Sequence, residues 1–184
     1  GPSLLDAIRR DRKDLDARRL RRTLTVVERV DGARIVVGGR ELVNFASNDY
    51  LGLARHPKVR AVAASAVLEW GWGAASSRLL SGTTVVHAEA ERRLAEFRGV
   101  PRALLFTSGY AANLGLLQSL AGAGDVIASD ALNHASLIDA CRLSRAEVVV
   151  YPHRDAAAAR KALGGAKGRR LLVVDAVFSM DGDL

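Results

Sequence analysis

Two well-separated segments carry side chains whose types and order suit chemistry: Ser108-Gly109-Tyr110-Ala111-Ala112-Asn113 and Val177-Phe178-Ser179-Met180-Asp181-Gly182-Asp183. The first is a small-residue turn between an apolar run, Ala103-Leu104-Leu105-Phe106, and a helical pattern. N–H groups in the first turn of a helix lack an intrahelical acceptor and sit at the positive end of its dipole, so such a turn can hold a phosphate without a lysine. Serine is also a common N-cap and glycine a common turn residue, so the pair alone also marks an ordinary helix start. His134, in Asp130-Ala131-Leu132-Asn133-His134-Ala135-Ser136-Leu137, falls just after an apolar strand, at the start of the next helix. A histidine there is commonly a hydrogen-bonded structural group, but the carboxyl ends of strands form the rim where open α/β sheets bind ligands. Ser179 occupies the equivalent rim after the run 170–174, flanked by Asp175, Asp181 and Asp183. Those acids read as a solvated turn, because they lack the ligand spacing of a calcium site, and no metal is expected. A turn that opens a helix and a later polar turn after another strand are the two sides from which a three-layer α/β enzyme builds a cofactor site.

The elements that must hold these residues follow from periodicity. His56-Pro57 opens a helix whose apolar positions, Val59, Val62, Ala63, Ala66, Val67 and Trp70, repeat at helical spacing. Gly71 to Gly82 is too rich in small residues for a core helix and reads as a loop that lets backbone approach something closely. A helix over 84–98 precedes strand 103–107, helix 109–121, strand 126–129, helix 134–143, strand 147–151, helix 155–163 and strand 170–174. Such alternation predicts an α/β fold of parallel strands with right-handed crossovers and helices on both faces. Upstream, 3–22 reads as a helix with Leu4, Leu5, Ile8, Leu15 and Leu20 as a ragged apolar stripe. Thr25 to Val43 reads as short strands broken at Asp31-Gly32 and Gly38-Gly39, both hairpin signals. Residues 1–45 are therefore expected to form an N-terminal arm, with Gly1-Pro2 as the scar of a removed purification tag, and 46–184 a layered domain.

Composition bounds the rest. With 184 residues and 49% hydrophobic content the chain can build a sizeable core. No apolar run reaches membrane-spanning length, and Arg9, Arg10, Arg12 and Lys13 crowd the start where a signal peptide would need an apolar stretch, so a cytoplasmic protein without membrane partners is expected. The single cysteine, Cys141, suits a reducing compartment. Of the 27 basic residues behind the net charge of +7 only four are lysines, and the excess gathers in 9–22. That run lacks the interleaved aromatics that stack bases, so it reads as a solvated helix face or a site for anionic substrates rather than for nucleic acid.

Taken together these segments resemble the α-oxoamine synthases, pyridoxal-phosphate (PLP) enzymes of the aspartate aminotransferase fold (fold type I), and most closely the branch that serves biotin biosynthesis. The resemblance runs in order through Leu20-Arg21-Arg22, Ser47-Asn48-Asp49-Tyr50-Leu51-Gly52-Leu53, Ser77-Arg78 to Ser81-Gly82, His87, Ser108 to Asn113, His134-Ala135-Ser136-Leu137 and Val177 to Asp183. It implies a truncated fold type I large domain behind the arm, with pyridoxal 5'-phosphate as cofactor. Ser108, Gly109 and Tyr110 match the turn that binds the cofactor phosphate, the last two through their backbone. His134 matches the histidine that stacks on the pyridine ring, and Ser179 the serine that bonds near its phenolic oxygen. Arg21 matches an arginine that contacts the acyl substrate's carboxylate, a task suited to a fixed fork of donors, and Asn48 with Ser76-Ser77 lines the same mouth.

The reaction implied is the decarboxylative condensation of L-alanine with pimeloyl-CoA or pimeloyl-ACP, in a homodimer whose site lies at the subunit interface. Trp70, Trp72, Tyr50, Leu79 and Leu80 are too apolar to be left wet in loops that carry so many small residues, which agrees with a partner surface. Segment 129–136 is also close to the 2-amino-3-ketobutyrate CoA ligase branch, and a non-catalytic piece that folds with a partner chain is the rival from another class. The family's Schiff-base lysine and pyridinium aspartate belong to later segments, and none of Lys13, Lys58, Lys161 or Lys167 sits in the lysine's context. Asp175 aligns with a different acid, the one before Val177-Phe178-Ser179. The 184 residues are thus expected to be the N-terminal half of such an enzyme, inactive alone.

Overall fold

A computed structural model describes residues 3–184, so the reading of Gly1-Pro2 lies outside the described residues. The chain divides into two compact units, one up to Ala74 and one from Ala75 to Leu184.

In the first unit, α1 (Leu4–Ala17) opens on a capping box: Ser3 Oγ accepts from the Asp6 N–H, and Asp6 Oδ2 accepts from the Ser3 N–H, both at 3.2 Å. It stops short of the expected 3–22. The Leu20 N–H reaches back to the Leu15 carbonyl and the Arg19 N–H to Asp16, with Arg19 left-handed at φ 55°, which is a Schellman closure made without glycine. No residue of α1 is buried, so no packing opposes that local stop. Strands β1 (Arg29–Asp31), β2 (Arg34–Val37) and β3 (Arg40–Val43) form the expected antiparallel meander. Register Val37↔Arg40 leaves Gly38-Gly39 as a two-residue turn with φ of 56° and 72°, left-handed values that favour glycine at both positions. Helix α2 (Pro57–Trp70) carries proline in its first turn and ends at Gly71.

The second unit holds α3 (Val85–Arg98), α4 (Gly109–Leu120), β4 (Val126–Asp130), α5 (Ala135–Leu143), β5 (Glu147–Tyr151), α6 (Ala156–Leu163) and β6 (Arg170–Val173). The three strands are parallel in the order β5-β4-β6, with β4 buried along its whole length. Successive strand residues face opposite sides. Ile127 packs with Leu117, Ala121, Ala140 and Cys141 of the α4 and α5 layer, and Ala128 packs with Ala159 of α6. This is a three-layer α/β/α arrangement. From β4 to β5 the chain moves one way across the sheet, and from β5 to β6 it crosses back over β4, so crossovers of one hand put α5 and α6 on opposite faces. Strand order therefore reverses at β4, and its carboxyl end is the crevice of the sheet.

The expected strand 103–107 is not one. Strand character needs a ladder, and here side chains serve the backbone instead: the Leu105 N–H donates to Glu91 Oε1 and the Leu105 carbonyl accepts from the Arg78 guanidinium, each at 2.8 Å. Arg78 also pairs with Glu91 at 2.8 Å. The glycine-rich stretch before α3 approaches its own backbone. A Cβ at Gly82 would stand 2.1 Å from the Ser76 carbonyl oxygen, so only glycine fits.

Ile127 is fully buried between β4 and the α4–α5 layer. Ile127→Ala is expected to lower stability by about 2–5 kcal/mol, read from the urea midpoint at unchanged slope.

Candidate functional site

At the carboxyl end of β4 a chain of polar contacts joins four elements. Asn133 is buried and uses its whole amide: Nδ2 donates to Ser129 Oγ at 3.0 Å and to the Val173 carbonyl at 2.8 Å, and Oδ1 accepts from the Asp175 N–H at 3.0 Å. Asp175 Oδ2 in turn accepts from the His134 N–H at 2.6 Å. The ends of β4 and β6 are thereby tied together at the residue that caps α5.

His134 is exposed but oriented from behind. The Ser136 N–H lies 3.1 Å from His134 Nδ1, and a backbone N–H can only donate, so Nδ1 is the acceptor and the neutral ring keeps its proton on Nε2. Ser136 Oγ stands 2.7 Å from the same nitrogen and accepts from Asn113 Nδ2 of α4 at 2.9 Å. Tyr110 also reaches α5, donating its hydroxyl to Asp139, whose carboxylate pushes the phenol above its ordinary value. These bonds bring the start of α4 beside the start of α5.

Ser108 caps α4, its Oγ accepting from the Ala111 N–H at 3.1 Å, while the amides of Gly109 and Tyr110 lie in the first turn, where no intrahelical acceptor exists. A Cβ at Gly109 would meet nothing within 4 Å, so the protein itself does not require glycine there and the space beside it is open. Two free donors, a positive helix end and an open space suit a phosphate group, and the residues fit that part of pyridoxal phosphate.

Ser179 is exposed on a turn closed by the Phe178 N–H to the Asp183 carbonyl at 2.9 Å and the Gly182 N–H to the Phe178 carbonyl at 2.8 Å. The reading of Asp175, Asp181 and Asp183 as a solvated turn holds for Asp181 alone. Asp175 is taken by His134, and Asp183 by His153 Nε2 at 2.9 Å and Arg154 at 3.2 Å. His153 Nδ1 lies 2.9 Å from buried Asp130. Burial alone would push the Asp130 carboxyl up, and the amides of Arg154 and Leu132 with His153 more than offset it, holding it below the usual carboxylate range.

Ser108, Gly109, Tyr110, His134 and Ser179 all belong to the second unit, Arg21 and Asn48 to the first. Arg21 forms an ion pair with Asp16 at 3.2 Å, and Asn48 accepts from the Tyr50 hydroxyl at 3.2 Å. Sequence reasoning missed Asn133, Ser136, Asp130 and His153 as site supports. A signal for the last existed: His153 follows β5 much as His134 follows β4, at the same edge of a parallel sheet.

The chain matches the model of the aminotransferase class I and II family over residues 40–184. It is 51% identical to an 8-amino-7-oxononanoate synthase of Burkholderia cenocepacia over 99% of this chain and 48% of that protein, and 52% identical to one of Geobacter sulfurreducens over 90% and 43%. Among solved structures, a Sphingomonas wittichii serine palmitoyltransferase superposes with a TM-score of 0.88 at 35% identity, covering 100% of this chain and 48% of that one. The 8-amino-7-oxononanoate synthase of Francisella tularensis does so with a TM-score of 0.63 at 28% identity, covering 76% and 38%. The chain thus spans about half the length of the relatives it matches.

Asn133→Ala removes three hydrogen bonds: the Val173 carbonyl and the Asp175 N–H lose their bonds to this side chain, and Ser129 Oγ keeps only its donation to the Asp130 carbonyl at 3.5 Å. A loss of about 2–4 kcal/mol in unfolding free energy is expected, measured by chemical denaturation.

Proposed function

The chain belongs to the aminotransferase class I and II family, and from that footing we propose that it is the part of a PLP-dependent 8-amino-7-oxononanoate synthase that holds the cofactor's phosphate and ring. The whole enzyme joins L-alanine to pimeloyl-CoA or pimeloyl-ACP in biotin biosynthesis, losing carbon dioxide and releasing the carrier thiol. What supports this most is the placement of an open helix start at Ser108-Gly109-Tyr110 beside His134, with Ser179 on the turn after β6, in a chain about half identical to synthases of that name.

PLP, when bound, would supply the electron sink for chemistry at the amino acid's α-carbon. The chain's own residues do the rest. Amides of Gly109 and Tyr110 donate to the phosphate at the positive end of α4. The His134 ring, held from behind by the Ser136 N–H on Nδ1 while the His134 backbone N–H donates to Asp175, would offer its face to the pyridine, and the Ser179 hydroxyl would donate to the phenolic oxygen. Arg21 takes the far carboxylate of the acyl chain, with Asn48 at the same mouth. The Arg21–Asp16 pair leaves its two side chains 37% and 48% exposed, and an exposed pair of this kind is weak enough to yield to a better-placed carboxylate.

The enzyme is a cytoplasmic homodimer in this reading, built from a 1–45 arm and a large domain that begins at 46. Tyr50, Trp72, Leu79 and Leu80 are each more than four-fifths exposed, as a subunit contact would leave them in one chain. No helix among the described residues is long and apolar enough to cross a membrane. A second reading, another α-oxoamine synthase, is favoured by the serine palmitoyltransferase likeness and by the closeness of 129–136 to 2-amino-3-ketobutyrate CoA ligase. Assay of the full-length protein decides: turnover with L-alanine and pimeloyl-CoA supports the first reading, and turnover confined to L-serine with a long-chain thioester moves it to the second.

Lys161 lies late in α6 and Lys167 before β6, away from the carboxyl edge of the sheet, and Lys13 and Lys58 belong to α1 and α2 of the first unit, none in the sequence context of the family's lysine. The 184-residue chain with stoichiometric PLP is therefore expected to turn over no alanine and, after borohydride, to carry no site-specific pyridoxyl-lysine by peptide mapping; a single labelled lysine among these four contradicts this. In the full-length enzyme Arg21→Ala should weaken the pimeloyl thioester by about 1.5–3 kcal/mol and leave alanine nearly unaffected, as read from kinetics with both substrates varied. Equal losses for both substrates count against the role.

A further inference from the structure

His153 makes none of the cofactor or substrate contacts proposed above, yet it bridges two carboxylates. Its Nδ1 lies 2.9 Å from Asp130 Oδ1 and its Nε2 2.9 Å from Asp183 Oδ2, and the ring meets Phe178 edge-on with centroids 4.4 Å apart. An ionised carboxylate only accepts hydrogen bonds, and a neutral imidazole has a single N–H. The neutral ring could therefore serve one partner and would set a lone pair against the other. Only the imidazolium satisfies both.

The surroundings favour that charge. Asp130, at the buried end of β4, is fixed by the amides of Leu132 and Arg154 at 2.9 Å each. Arg154 reaches Asp183 from the loop after β5, and Tyr151, buried at the end of β5, has its phenol pushed up by burial and then by the Asp130 charge. Asp183 Oδ1 is buried with no partner among the described residues, so this carboxylate is held through Oδ2 alone, by His153 and Arg154. Asp183 closes the turn that carries Ser179.

We propose that His153 is a positioning residue: as an imidazolium it clasps Asp130 to Asp183 and so fixes the Val177–Asp183 turn, with Ser179, at the carboxyl edge of the sheet. Its bearing on a cofactor rests on the reading of Ser179 above, whereas the clasp is measured with no cofactor present, so the two fail separately. Asp183 first and Asp130 next raise the His153 pKa from its ordinary value. A pKa raised by folding gives stabilisation that is full below the unfolded value of ~6.5 and is lost as pH rises through the folded value. The turn should therefore loosen on the alkaline side.

The test is nitrogen NMR of the His153 ring together with hydrogen exchange of the 177–183 amides, in the intact protein without cofactor, from about pH 5 to about pH 9. Both ring nitrogens should carry protons at neutral pH. Between the unfolded value of ~6.5 and the raised His153 pKa, protection of the turn, corrected for base catalysis, should fall by up to about tenfold per pH unit and level off above it. Asp183→Asn offers the ring either an oxygen or an NH2, so it serves neutral imidazole as well as the cation and should keep the turn protected at alkaline pH. His153→Phe keeps a ring beside Phe178 and should lose protection at every pH. A ring with one proton at neutral pH in the native protein, or an unchanged pH profile in Asp183→Asn, overturns the proposal, and both readings stand even if His153→Phe fails to fold.

Discussion

The carboxyl edge of the sheet depends on buried polar groups finding all their partners where the strand ladder runs out. Asp130 and Asn133 are both buried, and each would cost more than a hydrogen bond's net worth if left unpaired. Asp130 takes two amides and a histidine, and Asn133 takes a carbonyl, a hydroxyl and an amide. Few backbone arrangements meet so many directional demands together. A fully satisfied network of this kind specifies geometry more than it adds stability, and the geometry here is the relative placement of β6, α5 and the loop after β5.

The amino end of β4 repeats the device. Asp125 accepts from the Arg169 N–H at 2.8 Å and the Gly122 N–H at 2.9 Å, with the Arg169 guanidinium at 3.2 Å, and these amides hold its carboxyl below the usual range. A Cβ at Gly168 would stand 2.3 Å from the Gly124 carbonyl oxygen, so the two loops touch through backbone before β4 and β6 begin. Strand β6 is thus registered against β4 at both ends by side chains, Asp125 below and Asn133 above, in addition to the ladder between them. Its alignment fixes where the chain leaves the sheet toward Ser179.

Much of this frame was legible in the sequence because it rests on local chemistry. Strands β4, β5 and β6 are short apolar runs between turn residues, and the helices that alternate with them start at Ser108, His134 and Asp155, each a residue whose side chain accepts from the first turn. The candidate residues Ser108 and His134 were visible for that reason. What stayed hidden acts across long sequence separations. The run 103–106 has strand composition, but Arg78 and Glu91 meet the backbone needs of Leu105 in place of a ladder, and no local pattern announces that. Asn133 and His153 likewise have ordinary neighbours in sequence, and their importance lies in Val173, Asp175 and Asp183, which the fold brings to them. Arg19 and Leu20 misled in the opposite sense, since an apolar residue at helical spacing suggested continuation where a Schellman closure ends α1.

The residues of the second unit that would meet a cofactor are themselves exposed, and each belongs to a segment anchored by a buried residue. His134 stands between buried Asn133 and Ser136, and Ser179 follows buried Phe178. Gly109 and Tyr110 open a helix whose Leu117 lies in the core. An exposed group left to itself samples several rotamers and loses entropy when a ligand fixes it, whereas one whose backbone is pinned by a packed neighbour has lost most of that freedom on folding. The arrangement therefore charges the ordering cost to the fold rather than to binding. It also explains why the supporting residues are the buried ones: a packed interior allows few alternative positions, so burial of Asn133, Ser136 and Phe178 transmits the geometry of β4 to the groups that face outward.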